Sequence, residues 1–231
     1  MKKLSIIIPT FNEEKTILQV LKRINETKSS FINYEIIVVN DGSTDDSYNI
    51  LKKNSFLYDK IINYRKNLGK GNAVKEGFKI ATGDYIVFQD ADLEYDPKDL
   101  EKFIKIINLF NPDLVLGSRF NYDLYTRSHN FFNKIGNKFL SNFFNFFYNT
   151  TFTDIYNCYL CFKKDLILAD NLKTKGFEQH AEILCKLVKK GNLFYEVGIN
   201  YNGRNFDEGK KIRYYHIFPV IFEIIKQKFI N

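Results

Sequence analysis

Tyr85-Ile-Val-Phe-Gln-Asp-Ala-Asp92 passes directly from an apolar run into two carboxylates. A short stretch of β-branched and aromatic residues without polar alternation is a strand buried on both faces. Leu4-Ser-Ile-Ile-Ile-Pro9 and Tyr34-Glu-Ile-Ile-Val-Val39 read the same way, Lys60 to Tyr64 offers a short third strand, and Leu114-Val-Leu116 closes the series. Helical periods lie between them. Glu14 to Ile24 carries Ile17, Leu18, Leu21 and Ile24 on one face; a second helix, capped by Ser43 or Thr44, runs to about Lys53; others are expected over Gly71 to Ala81 and from Pro97. The alternation predicts an α/β fold: a Rossmann-like, mainly parallel sheet with helices on both faces and its ligands at the carboxyl ends of the strands.

Three strand ends carry polar clusters: Pro9-Thr-Phe-Asn-Glu13, Asn40-Asp-Gly-Ser-Thr-Asp45 and Gln89-Asp-Ala-Asp-Leu-Glu94. On an extended chain, carboxylates two residues apart lie on one side. Asp90 and Asp92 can thus hold a hard cation, Mg²⁺ or Mn²⁺, that neutralises a diphosphate. Asp92 is the expected direct ligand, Glu94 shares its parity, and Asp90 is placed to touch a sugar or ribose. By itself the triplet also fits a strand-end turn whose acidic residues cap the next helix. Asp41 can accept hydrogen bonds from a base or ribose, or simply shape a turn. No GxxxxGK[ST] loop occurs, and the first strand-to-helix turn has no glycine, which argues against a dinucleotide site. Asn67-Leu-Gly-Lys-Gly-Asn-Ala73 is a glycine-rich loop that could bring Lys70 to a phosphate.

Composition narrows the class. The chain has 231 residues, a formal net charge of +7, 23 Phe and no Trp. That length suits one α/β domain with a modest appendage, and the charge favours contact with phosphates. Cys158, Cys161 and Cys185 lack the partner pair of a zinc site, and their apolar surroundings suggest buried free thiols in a reducing compartment. The apolar run after the N-terminal lysines stops at Pro9, too short for a signal peptide, and no segment approaches the ~20 residues of a membrane span. A soluble or peripheral protein is expected.

Beyond Arg119 the pattern changes. Residues 129–148 place apolar side chains at 132, 135, 139, 143 and 146, with Lys134 and Lys138 among them. This is an amphipathic helix, with a break near Gly136, whose Phe-rich face suits either a core or a lipid headgroup boundary. A strand (Tyr156 to Phe162), a helix (Glu178 to Lys190), a strand (Phe194 to Tyr201) and a basic tail complete the chain.

Ser5-Ile-Ile-Ile-Pro-Thr-Phe-Asn-Glu13, Val39-Asn-Asp-Gly-Ser-Thr-Asp45, Asn67 to Ala73, Gly83 to Pro97 and Leu116-Gly-Ser-Arg119 resemble, in order, the blocks of glycosyltransferase family 2. Thr153 to Tyr159, Glu196 to Tyr201, and Arg204 with Glu208-Gly-Lys-Lys-Ile212 resemble its dolichyl/polyprenyl-phosphate mannosyl- or glucosyltransferase branch. The resemblance implies a GT-A fold over residues 1–231 as one domain, a nucleotide-sugar-binding half (1–120) and an acceptor half (121–231). It also implies inverting transfer with Mg²⁺ or Mn²⁺. Pro9, Phe11, Glu13 and Asp41 would line the nucleotide pocket, Asp90 and Ala91 would face nucleotide and sugar, and Asp92 with Glu94 would hold metal. Arg119, Arg204 and Lys211 would meet phosphates. Asp90, Asp92 and Arg119 are the catalytic candidates.

Two positions depart from the family pattern: Gly176-Phe-Glu-Gln-His-Ala-Glu182 replaces an acidic run, and His216 stands where Asp is frequent. A lipid phosphate acceptor, already anionic, requires no general base; a sugar hydroxyl would call on Glu178, His180 or Glu182, which otherwise read as a solvated helix face. The leading expectation is hexose transfer from a GDP- or UDP-sugar to polyprenyl phosphate, at the cytoplasmic, inner face of a membrane. Transfer to a glycan hydroxyl, or a silent nucleotide-sugar-binding module partnering a separate membrane protein, are the alternatives. No motif points to nucleic acid.

Overall fold

From Leu4 to Ile8 every side chain of β1 (Lys3–Thr10) is buried, so this strand must be covered on both faces and paired on both edges. The computed structural model, which describes residues 1–28, 30–121, 131–204 and 214–230, meets both demands. β1 lies between β2 (Asn33–Asp41) and β4 (Tyr85–Phe88), parallel to both, and β3 (Lys60–Tyr64) extends the sheet beside β2. With β5 (Leu114–Ser118), β6 (Leu160–Lys163) and β7 (Phe194–Gly198) the order is β3-β2-β1-β4-β6-β5-β7. The carboxyl ends of β1, β2 and β4 therefore share one edge, where the polar clusters emerge.

One strand departs from the parallel expectation. β6 is antiparallel to both β4 and β5. Residues 154–157 lie against Arg119 and Gly117 at the carboxyl edge, so the chain enters β6 there and must run back the opposite way. Ordered strand is confined to four residues, shorter than the Tyr156 to Phe162 expected, because Asp154 to Asn157 are spent on contacts with β5.

The helices follow the apolar periods with shifted ends. α1 (Ile17–Glu26) starts a turn later than Glu14, since Glu13 and Glu14 are drawn to the edge. Ser43 and Thr44 do not cap α2 (Ser47–Lys53); they bind Asn12, and Asp45 takes the Ser47 N–H instead. α3 (Lys70–Ile80) lies so close on β1 and β2 that a Cβ at Gly77 would meet Ile7 Cγ2 at 2.5 Å. α4 (Leu100–Phe110) follows Pro97, with Asp96 accepting from the Lys98 N–H. α5 (Phe131–Tyr148), α6 (Gln179–Lys190) and α7 (Ile217–Phe229) pack on one another. α5 runs without a break through Gly136, where nothing crowds the backbone. Residues 129 and 130 of the expected helix lie outside the described residues. No described helix is long and apolar enough to cross a membrane.

At the opposite edge Glu35 pins three elements together. It is 3% exposed and accepts hydrogen bonds from Ser5 Oγ (2.5 Å), the Thr82 N–H (2.7 Å) and Thr82 Oγ1 (2.7 Å), with Lys60 Nζ at 2.9 Å. Burial works against its charge, but Lys60, Ser5 and Thr82 outweigh it and hold the carboxyl well below the usual range. A depressed folded-state pKa contributes stability that is complete above roughly pH 5 and is lost as the pH falls through the carboxylate range. Glu35→Ala should lower the unfolding free energy by about 3 kcal/mol at neutral pH. In urea titrations the gap to the parent protein should narrow between about pH 5 and pH 3. A gap that stays constant with pH would deny the carboxylate's charge this role.

Candidate active site

After β4 the chain turns rather than continuing extended. Leu93 sits at φ 60°, in the left-handed region where a branched side chain is strained. The turn is braced by Gln89, fully buried, which donates to the carbonyls of Asp90 and Tyr95 and accepts from the Tyr159 hydroxyl. The side-by-side placement read from an extended chain therefore gives way to a split. Asp90 turns to Lys70 Nζ at 2.6 Å, and Asp92 turns to Arg204 Nη2 at 2.7 Å.

Arg204 gathers a larger cluster. Its Nε lies 3.1 Å from Glu94 Oε1 and its Nη1 3.4 Å from Glu13 Oε2. Tyr95 bridges to Tyr201, the Asn202 N–H donates to the Glu94 carbonyl and the Tyr201 hydroxyl donates to Glu94, so the arginine is delivered by a segment sewn onto the turn. Burial, with the nearby charges of Asp90 and Glu94, pushes Asp92 up to about 7 despite Arg204. Glu13, Asp92 and Glu94 thus converge where a positive charge is required, and the guanidinium supplies it in this structure.

This all-oxygen donor set suits a hard divalent cation. Among the described residues no group of three or more His, Cys, Asp or Glu side chains is arranged to cage an ion by itself. Asp92 and Glu94 are the residues that would hold it.

The β2 end supports this turn indirectly. Asp41 accepts the N–H groups of Leu68 and Gly69, both at 2.9 Å, so its carboxylate shapes the Asn67–Lys70 loop. Gly42 has φ +70° and a Cβ there would run into the Lys66 backbone; only glycine permits this approach. The loop places Lys70 at the start of α3, where burial opposes its charge but Asp90 outweighs it and raises its pKa. Pro9 and Phe11 stand half-buried at the end of β1, Glu13 is 7% exposed and Ala91 3%.

Other expected site residues have different partners. Arg119 forms a two-pronged ion pair with Asp154 (Nε–Oδ2 2.7 Å, Nη2–Oδ1 2.8 Å), donates to the Tyr156 carbonyl and lies over the Tyr201 ring. It braces the wall beneath Tyr201 rather than presenting a free cation. Lys211 lies outside the described residues. Cys158, Cys161 and Cys185 are free and buried, and burial raises all three thiols, which matches inert side chains.

The solvated helix face expected at the start of α6 is absent. Glu182 is fully buried and accepts from the Lys173 and Thr174 N–H groups, Thr174 Oγ1 and Lys186 Nζ. Glu178 accepts the Gly176 N–H. His180 faces inward; burial, followed by Lys70, pushes its imidazole down to about 4. The chain over 173–176 crosses this end of α6, and no periodicity announces such a crossing. His216 is also engaged, its ring against Phe177 at 4.8 Å. Asp154 and Tyr201 were missed as site residues, although both fall inside blocks that carry the family resemblance.

Comparison with known proteins bears on the family and the fold. The family model described as glycosyl transferase family 2 matches residues 5–168. A dolichol-phosphate mannosyltransferase of Pyrococcus furiosus is 30% identical over 226 residues, covering 95% of this chain and 64% of that protein. The low-salt glycan biosynthesis hexosyltransferase Agl6 of Haloferax volcanii is 28% identical over 202 residues, covering 87% and 48%. The chain thus spans between about half and two thirds of the length of these two relatives. Glucosyl-3-phosphoglycerate synthase of Mycobacterium tuberculosis, solved with Mn²⁺, UDP and glucosyl-3-phosphoglycerate, superposes with a TM-score of 0.74 at 17% identity, covering 100% of this chain and 81% of that one. That likeness shows the GT-A fold. Ordered strand-end clusters, a carboxylate turn after β4 and a matching family model over most of the chain together place this protein in glycosyl transferase family 2.

Proposed function

We propose that the chain moves a hexose, with inversion, from a GDP- or UDP-sugar to a polyprenyl phosphate at a membrane surface. The observation that carries this is the convergence of Glu13, Asp92 and Glu94 on one cation beside the Lys70–Asp90 pair. A leaving nucleoside diphosphate needs its growing negative charge offset, and this edge concentrates groups that demand and supply positive charge. A divalent ion held by Asp92 and Glu94 would supply that neutralisation when bound. In this reading Arg204 meets the diphosphate, Pro9, Phe11 and Glu13 line the nucleotide, and Asp41 keeps the Asn67–Lys70 loop in place. Lys70 holds Asp90 ionised, and Asp90 is the carboxylate assigned to the sugar.

The acceptor assignment rests on the state of the three proton acceptors expected on and beside α6. A sugar hydroxyl must lose a proton in the transfer, yet Glu178 and Glu182 are committed to backbone N–H groups and His180 is a weak base. A phosphate oxygen arrives already anionic. The dolichol-phosphate mannosyltransferase similarity supports the same choice.

Membrane contact is proposed at α5 and α7. α5 buries Leu140, Ser141, Phe144 and Tyr148 and leaves Phe131, Phe132, Ile135, Phe139 and Phe146 exposed, with Lys134 and Lys138 among them. α7, packed beside it, exposes Phe218, Phe222 and Phe229. Aromatic side chains interleaved with lysines match an anionic headgroup boundary.

Asp92→Asn should reduce transfer about a thousandfold while circular dichroism and the melting temperature stay close to the parent's; a variant within tenfold of the parent would remove the metal-bearing role. With polyprenyl phosphate and a panel of labelled nucleotide hexoses, label should enter the organic-extractable fraction. Label found only in water-soluble glycan would reject the lipid acceptor in favour of a hydroxyl. Replacing Phe132, Phe139 and Phe146 together by Ser should weaken sedimentation with anionic vesicles about tenfold or more. Unchanged sedimentation would move the membrane contact elsewhere.

A further inference from the structure

Glu94 is one of the two carboxylates assigned to a divalent metal, and its oxygens have different partners. Oε1 accepts from the Arg204 backbone N–H at 3.2 Å and from Arg204 Nε at 3.1 Å, whereas Oε2 accepts from the Tyr201 hydroxyl at 2.7 Å. Glu94 and Tyr201 are each 8% exposed, so the hydroxyl–carboxylate bond is sheltered from water. A glutamate side chain turns about several single bonds. A metal site that uses one must restrict those rotations beforehand or lose affinity to the ordering.

The place of that hydroxyl is fixed from several directions. The Tyr201 ring meets the Tyr95 ring at 5.0 Å between centroids, with the planes tilted by 47°, and the Arg119 guanidinium lies over it at 5.2 Å. Arg119 is held in turn by its two bonds to Asp154, and the Thr153 and Asp154 N–H groups donate to Glu196 on β7. Along the backbone, Tyr95 and Tyr201 form an antiparallel bridge, and the Asn202 N–H donates to the Glu94 carbonyl at 2.8 Å. The segment carrying Tyr201 therefore ties Glu94 twice, once at the carbonyl and once at the carboxylate. The partners of that carboxylate differ in charge. Arg204 brings a full positive charge, which a divalent ion at the same group would repel. The Tyr201 hydroxyl is neutral and bonds the other oxygen, so it can orient Glu94 without opposing a cation at Oε1.

We infer that Tyr201 is a positioning residue for the divalent metal: its hydroxyl fixes Glu94 in the orientation that presents Oε1 to the ion. This rests on the metal assignment within the transferase reading given above, and adds to it a residue that acts through Glu94. Hydrogen-bond donors behind a metal-binding carboxylate set its direction, and their loss typically lowers metal affinity by about ten- to a hundredfold.

The test uses Tyr201→Phe, which keeps the ring between Tyr95 and Arg119 and removes only the hydroxyl. Mn²⁺ affinity is measured without turnover, from the electron paramagnetic resonance signal of free Mn²⁺. The protein is titrated alone and again with GDP or UDP, against a control holding the nucleotide without protein. Tyr201→Phe should weaken Mn²⁺ binding about tenfold. Glu94→Ala should weaken it at least as much, and adding Tyr201→Phe to Glu94→Ala should change it less than twofold. An equal loss with and without Glu94 would show that the hydroxyl serves the fold in general and would overturn the inference; this comparison holds even where the substitution lowers the melting temperature. Unchanged Mn²⁺ affinity in Tyr201→Phe overturns it too, and leaves the transferase reading standing. So does a Glu94→Ala variant that binds Mn²⁺ like the parent, since Glu94 is then no ligand. A parent protein that binds no Mn²⁺, alone or with nucleotide, sinks the inference and the metal assignment together.

Discussion

Three carboxylates brought to one edge of a sheet repel one another, and the site depends on what answers that repulsion. Glu13 comes from the end of β1 and Asp92 and Glu94 from the turn after β4, and the parallel pairing of β1 with β4 forces the two ends together. Burial makes the repulsion costly, as the raised Asp92 pKa records. Like charges in a half-dry cleft are tolerated only with a counter-charge at hand. In this structure Arg204 fills that need. A divalent ion held by Asp92 and Glu94 would offset the same repulsion.

The rest of the edge keeps those charges in place. Asp41 does so at one remove: it binds the Leu68 and Gly69 N–H groups, the loop then sets Lys70, and Lys70 holds Asp90. Gln89 and Tyr159 clamp the turn from below, and Leu93 is kept in a strained conformation. Such strain persists only where surrounding contacts over-determine it. Arg119 and Asp154 form a second rigid unit on the far side, joined to the first through the tilted ring contact of Tyr95 and Tyr201.

How much of this was legible in the sequence follows from the range of each interaction. The strands of the first half could be read because their runs are uninterrupted, and the site edge because polar clusters follow three of them directly. The carboxylates of the turn were legible as one polar cluster because they are close in sequence. Arg204 was visible only through family resemblance, since it lies 112 residues from Asp92 and nothing local signals the pairing. Asp154, 35 residues from Arg119, was missed for the same reason.

The misreadings share a cause. Ser43 and Thr44 have the chemistry of helix caps, but Asn12, brought in by β1, competes for them and wins. Glu178, His180 and Glu182 have the spacing of an exposed helix face, but residues 173–176 cross it and turn Glu182 into an anchor for that crossing. Local propensity ranks what a residue can do; a segment arriving from elsewhere decides which option is taken. This also bears on chemistry. Once the crossing buries His180 beside Lys70, its proton is expelled and its value as a base falls. The same burial leaves its Nε2 without a hydrogen-bond partner among the described residues.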